Sequence, residues 1–173
     1  MSMYDVNTNE LIEKVAERLK DVKEVKAPEW STYVKTGHFK QRFPVRTDWW
    51  HVRSAAVLRS VAKLGPVGTS KLRTKYGGKK NRGVQSEKQF KASGNIIRKV
   101  LQQLEKADLI KQVQKGVHKG RIVTPKGQAM LDRASLELFK PIKKEKPAKQ
   151  EKIVAGKKER AVKEKKPKAV KAE

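Results

Sequence analysis

Cysteine is absent from this 173-residue chain, and aromatic residues make up only 6% of it. The first absence removes disulfides and thiolate metal sites, and it fits a reducing compartment. No apolar run approaches the roughly 18 residues of a membrane-spanning helix, and the polar start Met1-Ser2-Met3-Tyr4-Asp5 offers no signal-peptide core, so no membrane partner is expected. Histidine is scarce as well: His38, His51 and His118 stand far apart, with no spacing that gathers metal ligands. Asp48 and His51 are three residues apart but have no nucleophile beside them, and read better as a helix cap next to a surface histidine. Acids are few in the middle of the chain, where Asp48, Glu87, Glu105 and Asp108 are too dispersed for a two-metal nuclease site. The glycines form neither a dinucleotide fingerprint nor a P-loop. These absences predict a protein that is not an enzyme, with no cofactor, no metal and no small-molecule substrate.

What is abundant is positive charge. The chain carries 43 Lys and Arg against 18 Asp and Glu, a formal +25. Residues 35–126 hold 23 basic and 4 acidic side chains, an excess of +19, while residues 1–34 hold 5 and 7. Self-repulsion of that size in a compact segment calls for a polyanion, and nucleic acid is the natural one. Apolar residues run out near Phe139. One domain is therefore expected over 1–139, followed by a basic low-complexity tail over 140–173, rich in Lys, Pro, Ala, Val and Glu, that is disordered when free.

The organising stretch runs from Ser93 to Pro125. With Ile96 at zero and 100° per residue, Ile97, Val100, Leu101, Leu104 and Ala107 fall within about 140°, the core face of a helix from Gly94 to Ala107. The opposite face carries Arg98, Lys99, Gln102, Gln103 and Lys106, with Glu105 the one acid among them, and is a candidate reader of phosphates. Leu109–Val113 and Arg121–Val123 read as short strands around a loop bearing Lys115, His118 and Lys119. Thr124-Pro125 then caps and opens a closing helix, which the apolar Ala129, Met130, Ala134, Leu136, Leu138 and Phe139 support.

Upstream, Asn7 with Glu10 resembles a capping box for a helix reaching Asp21, with Leu11, Ile12, Val15, Ala16 and Leu19 on one face. Pro28 can open a short helix that sends Trp30 to the core. The connection Thr36–Thr47 is basic, and its Lys40, Arg42 and Arg46 are available either to phosphate or to solvent. Asp48 caps a central helix from Trp49 to Leu64, apolar around most of its circumference, with Trp49 and Trp50 as core or positioning residues. Arg53 falls in its apolar sector and must be paired, stacked on an indole or held by phosphate. A short helix over Thr69–Tyr76 stops at Gly77-Gly78, and Gly77–Ser93 reads as a long loop that Phe90 anchors to the core, with Lys79, Lys80, Arg82, Lys88 and Lys91 for phosphate. Two linked helices, a third basic helix and a basic hairpin together predict a mostly α fold: a helical bundle containing a winged helix-turn-helix with a small β-hairpin wing.

These motifs, taken in order, resemble the archaeal and eukaryotic type of small-subunit ribosomal protein S-nineteen. The resemblance runs from Val6 to about Ala134 and rests on Pro28-Glu29-Trp30, Trp49, Arg53, Ala55-Ala56, Arg59, Gly65, Tyr76-Gly77-Gly78, Arg82-Gly83-Val84, Gly94, Arg98-Lys99-Val100-Leu101-Gln102, Leu104-Glu105, Gly120-Arg121 and Thr124-Pro125-Lys126-Gly127. It implies a structural constituent of the small-subunit head, bound to small-subunit ribosomal RNA and to neighbouring head proteins. It also implies a cytoplasmic, ribosome-bound location and a part in subunit assembly and maturation of the 3′ region of that RNA. By position, Trp49, Arg53 and Arg59 would belong to the family's central helix, and Arg98 and Lys99 to its basic helix. The chain departs from the family at Gln85–Phe90, where a Pro and a His are common, and in its long tail. The expected RNA-binding set is Arg53, Arg59, Lys79, Lys80, Arg82, Lys88, Lys91, Arg98, Lys99, Gln102, Lys106, Lys115, Lys119 and Arg121. The rival reading is a winged-helix DNA-binding regulator or a chromatin protein, although no dimerisation segment for paired half-sites is visible.

Overall fold

The computed structural model describes residues 2–139, so the expectation of a disordered tail over 140–173 lies outside the described residues. In chain order the elements are α1 (Thr8–Lys20), a 3₁₀ turn (Glu29–Thr32), α2 (Trp49–Leu64), α3 (Thr69–Lys75), β1 (Gly78–Arg82), β2 (Gln85–Phe90), α4 (Gly94–Lys106), β3 (Ile110–Lys115), β4 (His118–Val123) and α5 (Pro125–Leu138). The strands form two separate antiparallel pairs, β1 with β2 and β3 with β4. This is a helical domain carrying two small hairpins.

α2 is apolar on several sides because it is packed on several sides, against α1, α4, α5 and β4. Trp50, Ala55, Val57, Leu58 and Val61 are buried along it, facing Leu11, Val15 and Leu19 of α1, Leu101 and Leu104 of α4, and Leu131 and Ala134 of α5 within one core. Each Leu or Val among them contributes about 1.5–3 kcal/mol on removal from water. Trp30 is half-buried rather than central: its ring meets Trp50 edge-on at 5.7 Å, and Trp49 meets Trp50 from another side at 5.4 Å.

Two helix starts follow their sequence signals and one does so only in position. Thr124 Oγ1 accepts from the Gly127 amide at 3.2 Å, with Pro125 in the first turn of α5. At α1, Asn7 Oδ1 accepts from the Asn9 amide at 3.1 Å, and Asn7 Nδ2 donates to Glu10 Oε1 at 3.3 Å, so the pair meets side chain to side chain instead of as a full capping box. Asp48 stands at the start of α2 but makes no capping hydrogen bond. Its carboxylate accepts from Arg46 Nε at 3.1 Å and lies 3.5 Å from Lys20 Nζ, and charged partners outcompete a backbone amide.

Three expectations are corrected. Gly77–Ser93 is not a loop: it forms the β1–β2 hairpin, paired Gly78 with Phe90, Lys79 with Gln89 and Lys80 with Lys88. Its two-residue turn starts at Gly83, whose φ of 71° suits glycine, and Asn81 Oδ1 accepts from the Gly83 amide at 2.9 Å. Phe90 packs on His38, with ring centroids 4.7 Å apart, and stays outside the core cluster. The second hairpin is longer than expected, because Lys115 pairs with His118 and Gln114 with Lys119, so only Gly116 and Val117 remain as the turn. In α5, Leu136 and Phe139 are 54% and 47% exposed, since the buried face passes through Gly127, Leu131, Ala134 and Ser135 and residue 136 points some 200° away from residue 134.

The second hairpin is tied to the connection between α2 and α3. Val67 donates to the Arg121 carbonyl at 3.1 Å and accepts from the Arg121 amide at 3.0 Å. Backbone approaches so closely there that a Cβ on Gly120 would lie 2.5 Å from the Val67 nitrogen, which explains a glycine inside a strand.

Candidate nucleic-acid interface

The amphipathic pattern of α4 dictates its orientation. Ile96, Ile97, Val100, Leu101 and Leu104 are buried, which turns Arg98, Lys99, Gln102 and Lys106 outward, and all four are exposed. Gln103 does not join them. It accepts from the buried Trp50 indole N–H at 2.8 Å and donates to the Lys26 carbonyl at 2.6 Å, so it is a structural link between α4, α2 and the segment after α1. Glu105 pairs with Arg121 Nε at 3.3 Å, both side chains being part-buried, and this holds β4 to α4. Glu24 joins Lys99, Gln102 and Lys106 around a shallow depression, an acid on this face that helix periodicity alone did not reveal.

The β1–β2 hairpin presents a different arrangement. Lys80 stands directly opposite Lys88 across the strands, a like-charge pair that is unfavourable unless an anion intervenes. Lys80 Nζ lies 3.2 Å from His38 Nε2 and 5.7 Å from the Phe90 centroid, and Lys79 lies 3.4 Å from Glu87. Arg82 turns back to the Ser86 carbonyl at 3.4 Å. Lys88 and Lys91 are exposed, as are Lys115 and Lys119 on the other hairpin.

On α2 the guanidinium of Arg53 stacks on the Tyr76 ring, 4.6 Å from its centroid, rather than on an indole or against a carboxylate. Burial pulls its pKa down and also pushes the Tyr76 phenol up. The Tyr76 hydroxyl lies 2.9 Å from Ser60 Oγ, to which Lys75 Nζ donates at 2.7 Å. Arg59 Nη2 donates to Thr8 Oγ1 at 2.9 Å, while its buried Nε finds no partner. Burial, and then the charges of Arg59 and Lys63, lower the pKa of Lys75. The fold thus gathers Arg53, Arg59 and Lys75 around Ser60 and Tyr76, with the charge of Lys63 felt at Lys75.

Sequence reasoning missed Arg73. Its side chain and that of Arg98 both border Gly94 at the start of α4, where a Cβ would lie 3.2 Å from Arg73 Cδ and 3.4 Å from Arg98 Nη1. The two lie 25 residues apart in sequence, and only the packing of α3 on α4 brings them together. No catalytic grouping competes with these basic surfaces among the described residues. His51 is 3.2 Å from the Val25 carbonyl and not paired with Asp48, His38 sits against Phe90, and His118 begins β4. Among the described residues no cluster of three or more His, Asp or Glu could hold a metal, and no helix is long and apolar enough to cross a membrane.

Comparison with known proteins bears on the same residues. The family described as "Ribosomal protein S19e" matches residues 2–141. The chain is 41% identical over 149 residues to small ribosomal subunit protein eS19 of Aeropyrum pernix, covering 85% of this chain and 95% of that protein. It is 38% identical over 153 residues to the eS19 of Thermoplasma acidophilum, covering 88% and 99%. To small ribosomal subunit protein eS19G of Ascaris suum it is 41% identical over 138 residues, covering 79% and 91%. A match that spans α1 to α5, with archaeal and animal relatives covered almost end to end, makes this chain a member of the ribosomal protein S19e family.

Proposed function

We propose that the chain is a structural constituent of the small ribosomal subunit, bound to its RNA and to neighbouring proteins of the head. It has no catalytic role in this reading, works in the cytoplasm on the ribosome, and assists assembly and maturation of the 3′ region of the RNA. The observation that carries it is how the acids of residues 35–126 are used. Asp48, Glu87 and Glu105 are each committed to an internal ion pair, with Arg46, Lys79 and Arg121, so Arg98, Lys99 and Lys106 of α4 and the remaining hairpin cations Lys80, Lys88, Lys115 and Lys119 have no such partner and are left for an external polyanion. Kinship with proteins named for the small ribosomal subunit supports RNA as that polyanion.

In this reading residues 1–139 act as one domain in which α2, α3, α4 and the β3–β4 hairpin serve as a winged helix-turn-helix, with α1 as an N-terminal extension. The segment at Val67 acts as the short third strand of the wing. RNA duplexes close their deep, narrow major groove to a helix, so contacts should spread over phosphates and 2′-hydroxyls through Arg98, Lys99, Gln102 and Lys106, the Lys79–Lys91 hairpin, and Lys115 and Lys119. Sedimentation of the native protein from a cell lysate tests this: it should travel with small subunits, and failure to do so removes the reading. A parallel titration against a small-subunit RNA fragment and a randomised duplex DNA pool separates it from a regulator, which would enrich a DNA consensus through Arg98 and Gln102.

A further inference from the structure

Residues 36–46 carry little regular structure, yet they enclose something. Between this connection, α1 and the start of α2 lies a groove of about 620 Å³, within the roughly 300–1,000 Å³ of small-ligand sites. Its apolar lining includes Ile12, Phe43, Trp49 and Val52, and Tyr76 also borders it with Arg53 stacked on its ring. Glu13 is the one acid of the lining, and it is taken by Arg46 Nη1 at 3.0 Å, which leaves Lys40, Arg42 and Arg53 without an acidic partner there. Past Tyr76 the cations continue as Arg59, Lys63 and Lys75.

An aromatic slot bordered by cations matches one chemistry better than its rivals. A duplex backbone needs the charge but not the slot, and an apolar peptide needs the slot but not the charge. An unpaired nucleotide needs both, because its base has a π-face and its flanking phosphates are anionic. Resting on the ribosomal-RNA reading above, we infer that this groove receives a single base extruded from an RNA helix. The base lies against Phe43 and Trp49, and its flanking phosphates meet Arg42, Arg53 and the Arg59–Lys75 cluster. Phe43, 62% exposed with no core to fill, then has a role as a stacking platform.

The test uses the full chain and two RNA hairpins at one salt concentration, identical except that one carries a single bulged 2-aminopurine. The bulged RNA should bind about tenfold more tightly, equivalent to about 1.4 kcal/mol, with quenched 2-aminopurine emission. Phe43→Ala and Arg42→Gln should each bring the two affinities together and restore emission, with little change in affinity for the perfect duplex. Because Phe43 is largely exposed, its replacement does not depend on refolding a core. Equal affinity of the wild type for both RNAs overturns the inference while leaving general RNA binding intact. Quenching that survives both substitutions overturns it too, and failure to bind either RNA removes this inference together with the reading beneath it.

Discussion

Gln102 and Gln103 are chemically identical neighbours, and the structure gives them opposite jobs. The Trp50 indole is fully buried, and its N–H has Gln103 Oε1 as acceptor at 2.8 Å. Gln103→Leu keeps the side-chain volume but strands that donor in an apolar setting, which costs about 1–3 kcal/mol. The Lys26 carbonyl also loses its 2.6 Å donor, but Lys26 is exposed and water can replace the bond, so little is added. With about 2 kcal/mol lost and roughly 3–5 °C per kcal/mol for a domain of this size, the melting temperature should fall by about 6–10 °C. Gln102 is exposed, so Gln102→Leu should stay within about 0.5 kcal/mol of the wild type. Gln103→Glu keeps an acceptor for the indole and should recover most of the loss. Thermal melts followed by circular dichroism, with urea midpoints at unchanged slope, read the difference. If Gln102→Leu and Gln103→Leu melt together, the indole bond does not stabilise the fold.

Other expectations follow from the same geometry. Reversing Arg98 and Lys99 together to Glu should leave helicity unchanged, because Glu is a good helix former, yet cost RNA binding several kcal/mol at about 1–3 for each charged contact; unchanged incorporation into small subunits would refute their placement in the interface. Arg121→Gln removes a solvent-accessible, part-buried ion pair with Glu105 and should cost stability about 0.5–1 kcal/mol while affecting RNA affinity less than Arg98→Gln, as melts and titrations would show. The Tyr76 phenol, raised by burial, should ionise above the ordinary range, so ultraviolet titration of the wild type should show a late phenol that Tyr76→Phe lacks. Since its folded pKa is raised, the associated stability is present below the unfolded value near 10 and is lost as pH rises through the folded one; alkaline unfolding should accordingly be steeper in the wild type than in Tyr76→Phe.

Where periodicity and caps coincide, the fold was readable from the chain. Thr124-Pro125 marked the start of α5, and the apolar repeat from Ile96 to Leu104 marked the buried face of α4. The β1–β2 hairpin was hidden for a physical reason: its residues are almost all polar and exposed, so no alternation exists to detect. Its ends are held from elsewhere, by Ser93 N donating to the Thr36 carbonyl at 3.1 Å and Ala92 N donating to the Arg73 carbonyl at 3.0 Å. The role of Gln103 was equally out of reach, because its partner indole lies 53 residues away. Lys40 and Arg42 were readable as basic but not as the wall of a groove, since that wall exists only when residues 36–46 lie across α1 and α2.

The acids of residues 35–126 explain how so basic a segment holds together in the free protein. Asp48 gathers Arg46 and Lys20 at the start of α2, Glu105 fixes β4 through Arg121, and Glu87 braces the first hairpin through Lys79. Each neutralises a cation at a junction between elements, where repulsion would otherwise separate them. The fourth, Asp108, serves the backbone: it adopts φ 57° to end α4, and its carbonyl accepts from Thr124 Oγ1 at 2.6 Å to begin α5. Among the described residues no ion pair is made by Lys80 opposite Lys88, by Arg73 beside Arg98, or by Lys75 beside Arg59 and Lys63. Those like-charged neighbours raise the free energy of the isolated protein and would lower it again on contact with phosphate, so under the proposed function the placement that weakens the free fold would favour a polyanion.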